Sequence, residues 1–201
     1  DAALLETIRR PLQLLLAWDG RLEADSVAAT LFDAWLVQAA RLGLEQPDRA
    51  LIRKGEVLSA GKQKLLLEAL SRAAAELRQK HGTFEVPWGK LRRVARGAHS
   101  FPVAGGAAGG ISTLRAVGFG PENPAGERAA ASGQSTTTLV VFKKSGAESY
   151  SALPWGNSDD PASPHFADQA EKLLSRKALK PTWFEKKQLL PHVVSQKTLE
   201  M

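Results

Sequence analysis

An α+β fold is predicted by three observations on this 201-residue chain. Apolar side chains recur at spacings of three and four across residues 1–82, the mark of helices with one buried stripe. After Gly82 the period changes and Pro and Gly become too frequent for a helix of useful length. Helix signals return at Ser163-Pro164. The chain therefore divides into a helical segment (1–82), a strand-rich segment (83–160) and a closing segment of helices (161–201).

Leu4, Leu5, Ile8, Leu12, Leu15 and Leu16 form the first stripe. Pro11 lies inside it, so either the helix kinks there or a second helix begins, because proline lacks the amide hydrogen. Trp18-Asp19-Gly20 ends the stripe, with Gly20 free to take positive φ. A second helix is expected over 27–42, capped by Asp25 or Ser26, with Val27, Leu31, Trp35 and Ala39 one turn apart and Phe32 and Trp35 buried. A third, over 61–80, sets Leu65, Leu66, Ala69, Leu70, Ala73 and Leu77 against a charged face on which Glu68 and Arg72 are spaced to pair. His81-Gly82 ends it.

Strands are expected over 111–119, 135–143 and 148–155, the last two joined by a hairpin at Lys144-Ser145-Gly146-Ala147. The run Thr136 to Phe142 is rich in β-branched residues and alternates weakly, which predicts cover on both faces. Residues 121–133 read as an exposed loop. Ser163 then caps a helix that starts at Pro164 and runs to about Leu174, and Thr182 with Glu185 has capping-box spacing for a short helix before Pro191.

Composition narrows the function. No cysteine is present, which excludes a disulfide scaffold and cysteine-bound metal. Apolar runs fall far short of the roughly 20 residues that span a bilayer. The chain begins at Asp1 without an initiator Met or a basic-then-apolar leader, which reads as a processed product or an excised piece. A net charge of +6 raises a nucleic-acid or acidic-partner reading. Lys90, Arg92, Arg93 and Arg96 near Trp88, and Lys177, Lys180, Lys186 and Lys187 around Trp183 and Phe184, mix cations with stacking rings. A solvated basic face explains the same residues and is preferred, so nucleic acid is not the expected partner.

Chemical motifs are sparse. The stretch from Pro102 through Gly105, Gly106, Gly109 and Gly110 lacks the Lys-Ser or Lys-Thr of a phosphate loop and reads as a turn or bulge. His81, His99, His165 and His192 stand apart, without zinc spacing. His165, beside Asp159, Asp160 and Asp168, is expected to tie its loop down by bonding a carboxylate or backbone group rather than to act as a base. No serine sits in a Gly-x-Ser-x-Gly elbow, and Gly156-Asn157-Ser158-Asp159-Asp160 has turn chemistry rather than calcium-loop spacing.

Trp18-Asp19-Gly20, Trp88-Gly89, Arg93-Val94, Arg96-Gly97, Pro102-Val103, Gly105-Gly106, Trp155-Gly156-Asn157-Ser158 and Pro161 to Gln169, through His165 and Asp168, occur in that order. In this the chain resembles, end to end, the C-terminal portion of the β subunit in the penicillin amidase family of penicillin, cephalosporin, aculeacin and acyl-homoserine lactone acylases. The resemblance implies an N-terminal-nucleophile hydrolase, with a four-layer αββα fold made by self-cleavage of a periplasmic or secreted precursor; this chain carries no signal peptide. It implies a serine nucleophile at the start of the β chain whose own α-amine is the base. Position 1 here is Asp, so no catalytic residue is assigned to this chain, which alone is expected to be inert. Oxyanion donors and the family's calcium ligands are expected upstream, so no cofactor is assigned here.

By the same resemblance, Thr138 falls where cephalosporin-type members place a Glu near the nucleophile's support. It is a candidate for that supporting role, with a plain β-branched strand residue as the preferred reading. A Thr there leaves two alternatives, a missing network or an acylase for fatty-acyl amides. The expected partners are the remaining α and β segments and a small amide substrate. The competing readings are a non-enzymatic basic binding module and an inactive relic of the scaffold.

Overall fold

A computed structural model describes residues 2–45, 54–108, 111–113 and 117–198. Asp1, Gly109, Gly110 and residues 114–116 of the expected 111–119 strand lie outside the described residues. Two compact units are distinguished, Asp1–Gln134 and Ser135–Met201, and the division falls within the segment 83–160.

In the first unit three helices, α1 (Ala2–Leu16), α2 (Val27–Arg41) and α3 (Ala60–His81), share one core. Ile8 of α1, Leu31 of α2 and Leu70, Ala73 and Leu77 of α3 are buried together, as their spacing predicts. α1 runs through Pro11 as one helix, with Pro11 itself buried, so no second helix begins there. Leu5 and Leu16 of its stripe remain exposed. Ser26 caps α2 by accepting the Ala29 amide at 3.2 Å, and Gly82, at φ 77°, ends α3. Glu68 and Arg72 pair at 2.6 Å. Phe32 and Trp35 are half-buried rather than buried, since Trp35 reaches its indole N–H to the Leu66 carbonyl at 2.8 Å.

A one-turn helix α4 (Trp88–Leu91) leads into β1 (Arg92–Arg96) and β2 (His99–Pro102), a hairpin that charge and glycine content concealed in the sequence. The expected 111–119 strand is two pieces: β4 (Ile111–Ser112), paired with β3 (Ala107–Ala108), and β5 (Val117–Glu122). The expected loop over 121–133 is largely β6 (Arg128–Gly133). Its Ala and Ser side chains have weak strand preference, and pairing with β5 and β1 overrides it. The sheet order is β2-β1-β6-β5, with β1 and β6 parallel.

In the second unit β7 (Thr137–Lys143), β8 (Gly146–Ala152) and β9 (Lys180–Thr182) form an antiparallel sheet in that order. Lys143 faces Gly146 across the expected hairpin turn. β7 is an edge strand, and Leu139, Val140, Val141 and Phe142 are 51%, 40%, 36% and 86% exposed, so the expected cover on both faces is absent here. No helix starts at Pro164: the Ser163 hydroxyl accepts the His165 amide in a local turn, and helical backbone begins at Asp168 before a π-turn over Ala170–Leu174. Thr182 belongs to β9 and bonds Ser151, while the capping box is formed one turn later by Glu185 and Gln188 around α5 (Lys186–Leu189).

Candidate functional site

The motif residues fall into separate places. Trp18, Asp19 and Gly20 make the elbow after α1, where Gly20 takes φ 78° and the Asp19 carboxylate accepts the Arg21 amide at 2.9 Å. The Trp18 indole donates to the Arg21 carbonyl at 2.9 Å. These bonds fix the start of the link 21–26 that follows. The Leu22 carbonyl accepts the Gly105 amide at 2.6 Å, Ala24 accepts Gly89 at 2.7 Å and Ser26 accepts Trp88 at 3.0 Å. Trp88, fully buried, returns its indole N–H to the Gly105 carbonyl at 3.1 Å. A Cβ on Gly89 would stand 2.7 Å from Pro102 Cβ and 2.9 Å from Ala24 Cβ, so only glycine fits that approach. The Gly105 and Gly106 amides are both used internally, Gly106 by the Thr113 hydroxyl at 3.0 Å, as a turn requires and a phosphate cradle does not.

In the second unit Asn157, Ser158, His165 and Asp168 share one loop. His165 Nδ1 lies 3.1 Å from Asp168 Oδ2, with the imidazole exposed and the carboxylate mostly covered. Ser158 donates its amide to the His165 carbonyl at 3.3 Å and accepts the Asp160 amide on its hydroxyl at 3.2 Å. Ala170 donates to the Trp155 carbonyl at 2.7 Å, and the Gln169 side chain accepts the Leu153 amide at 3.0 Å. A Cβ on Gly156 would collide with the His165 carbonyl oxygen, which explains glycine there. Asn157, His165 and Asp168 line a shallow open cleft with Lys172 and Lys180. These bonds fasten the loop to the π-turn and the end of β8. Thr138 is exposed on β7, opposite Ser151 in register. Among the described residues no group of three His, Asp or Glu side chains is arranged to hold a metal ion.

One polar constellation escaped the sequence reading. Asp33, inside the otherwise apolar stretch of α2, meets Arg92 at the start of β1 at 2.5 Å, with side chains only 17% and 11% exposed. The Arg92 guanidinium lies 4.7 Å from the Trp88 ring centre and 5.5 Å from that of Phe119. Burial pulls Arg92 below its ordinary pKa, and the Asp33 carboxylate opposes that pull. Asp33 among Phe32, Ala34 and Trp35 was the available signal, a lone carboxylate where the period calls for core. Arg92 is thereby withdrawn from the basic cluster, and Arg93 is spent on the Gly89 and Ser100 carbonyls and the Ser100 hydroxyl at 2.9, 2.8 and 3.1 Å. Trp183 stacks on His192 at 3.9 Å rather than standing free.

Comparison with known proteins gives three findings. The family model described as penicillin amidase matches residues 2–190. An acyl-homoserine lactone acylase, PvdQ, of Pseudomonas fluorescens is 31% identical over 104 residues, which is 52% of this chain and 13% of that protein. A solved thermostable penicillin G acylase from Alcaligenes faecalis aligns with 97% of this chain and 43% of its own, at 19% identity and a TM-score of 0.46. The chain thus spans less than half the length of the relatives it matches.

Proposed function

Because the chain belongs to the penicillin amidase family, we propose that it is the C-terminal β-subunit segment of an acylase that hydrolyses a linear amide to a carboxylic acid and an amine. The observation that carries this reading is the family match over residues 2–190. The substrate class in this reading is an amide of penicillin, cephalosporin or acyl-homoserine lactone type, supported by the penicillin amidase family and by the relative named as an acyl-homoserine lactone acylase.

In this reading the nucleophile lies elsewhere in the protein. A serine at the head of the β chain attacks the amide carbonyl, its free α-amine takes the hydroxyl proton and passes it to the amine nitrogen as the C–N bond breaks, and water then opens the acyl-enzyme ester that remains. The present chain contributes strands and packing helices to a four-layer αββα body in a periplasmic or secreted enzyme. The exposed apolar edge strand β7 supports that role, because Leu139 and Val141 on one face and Val140 and Phe142 on the other all need cover. No cofactor is assigned to this chain, and the family's calcium ligands belong in this reading to the rest of the protein.

The test is acyl release from penicillin G, glutaryl amides and long-chain acyl-homoserine lactones, using this chain alone beside the full precursor. Turnover by the precursor only is the expected result, and the preferred substrate names the class. Turnover by the isolated chain overturns the scaffold role. Activity in neither moves the protein to an inactive relic or a binding module.

A further inference from the structure

A cleft of about 100 Å3 opens in the first unit between α2, α3 and the sheet. Its floor is a row set by strand register: Glu122 of β5 is paired with Arg128 of β6, and Arg128 with Arg92 of β1. Registered neighbours project to one face, so two guanidinium groups stand side by side on adjacent strands, an arrangement that repels unless an anion intervenes. Asp33 answers Arg92 at 2.5 Å. Among the described residues Arg128 pairs only with Glu122, at 3.8 Å, and its Nε–H is buried with no partner.

The wall above the row carries a second orphan. Thr30 is 5% exposed, and its hydroxyl also lacks a partner. A helical threonine usually bonds the carbonyl four residues back, but here the Ser26 carbonyl already accepts the Trp88 amide. Thr30 and Arg128 both line the same cleft. Each costs free energy while it stays unpaired, and each can donate to one acceptor-rich ligand.

Charge decides which ligand. Every carboxylate on the walls is already held: Asp33 by Arg92, Glu76 by Arg41 at 3.3 Å and Lys80 at 3.0 Å, and Glu122 by Lys80 at 2.9 Å. Arg128 is the cation left over. A metal ion would find no free carboxylate and a surplus of positive charge.

We propose that this cleft binds a small oxyanion, a carboxylate or inorganic phosphate, held between the Arg128 Nε–H and the Thr30 hydroxyl. This binding does not depend on whether the whole protein hydrolyses amides.

The experiment follows the thermal midpoint of the chain, and its arginine Nε–H resonances, during titration with acetate and separately with phosphate, at constant ionic strength set by chloride. A saturable rise with at least one of them is expected, with an Arg128 Nε–H shift on the same curve; the anion that saturates first identifies the class. Thr30→Val and Arg128→Lys each remove one donor, and each should weaken apparent affinity about tenfold, the effect of one charge-assisted hydrogen bond. Thr30→Ser keeps the hydroxyl and should keep binding, which guards against misfolding of the valine variant. No saturable response to either anion, or a response undiminished in both donor variants, overturns the proposal.

Discussion

Asp33 and Arg92 bind the helical layer to the sheet, and their energetics follow from burial. A paired charge inside a protein adds little over a well-packed apolar pair, but removing one partner strands the other. Asp33→Ala is therefore expected to cost about 3 kcal/mol, since it leaves Arg92 buried against Trp88 and Phe119. The double variant Asp33→Ala with Arg92→Met should recover much of that loss, because the methionine stem still covers Trp88 without a charge. Urea midpoints of the two single variants and the double variant measure the coupling; additive losses would show that the pair does not act as a unit.

At the scale of elements, the contact between the end of α3 and the β5–β6 turn carries a pH signature. His81 packs against Gly126, where an added Cβ would stand 2.6 Å from the ring. Burial holds the His81 pKa below its ordinary value, and the Lys90 and Lys80 charges add to that against Glu122. Glu76 is also lowered: burial resists its ionisation, but Lys80, Gln38 and Arg41 outweigh it. For both groups the folded state holds its proton less tightly than the unfolded chain, so their contribution is present above the unfolded pKa and lost as pH falls through the folded one. Stability should accordingly decline in two stages, first below about 6.5 through His81 and then below about 4.5 through Glu76. His81→Gln should flatten the first stage in thermal midpoints across pH 5 to 8, and an unchanged slope would remove His81 from the account.

β7 makes the other prediction at this scale. Four consecutive exposed apolar residues on an edge strand invite pairing with another chain. The isolated chain should self-associate in sedimentation, and Val140→Lys with Phe142→Lys should return it to monomer. The same strand shows what a local reading can carry. Its β-branched run was legible as a strand, and the cover it calls for was not, because cover depends on what packs there. β1, β6 and β9 were missed for the same reason. Arg92–Arg96 looks like a charge cluster, Arg128–Gly133 like a loop and Lys180–Thr182 like a helix entry until long-range partners pair them.

For the whole molecule, the α+β class and the three long helices were readable because their periods are local. The family resemblance was readable for a different reason. Gly89 and Gly156 stand where a Cβ would collide with neighbouring atoms, Gly20 takes positive φ, and the residues around them supply turn bonds. These residues fasten turns and links, and in that way they mark the fold. The Asp33–Arg92 pair joins residues 59 positions apart, and nothing local announces which cation a lone carboxylate will meet.

The claim that this chain is structural support for a nucleophile held elsewhere is tested most directly by complementation. The chain and the remainder of its precursor would be expressed as separate polypeptides, purified alone and together, and assayed on the preferred acyl substrate. The expected result is a stable complex that turns over substrate while neither part does so alone. Full turnover by the remainder without this chain, or any turnover by this chain without the remainder, would contradict it.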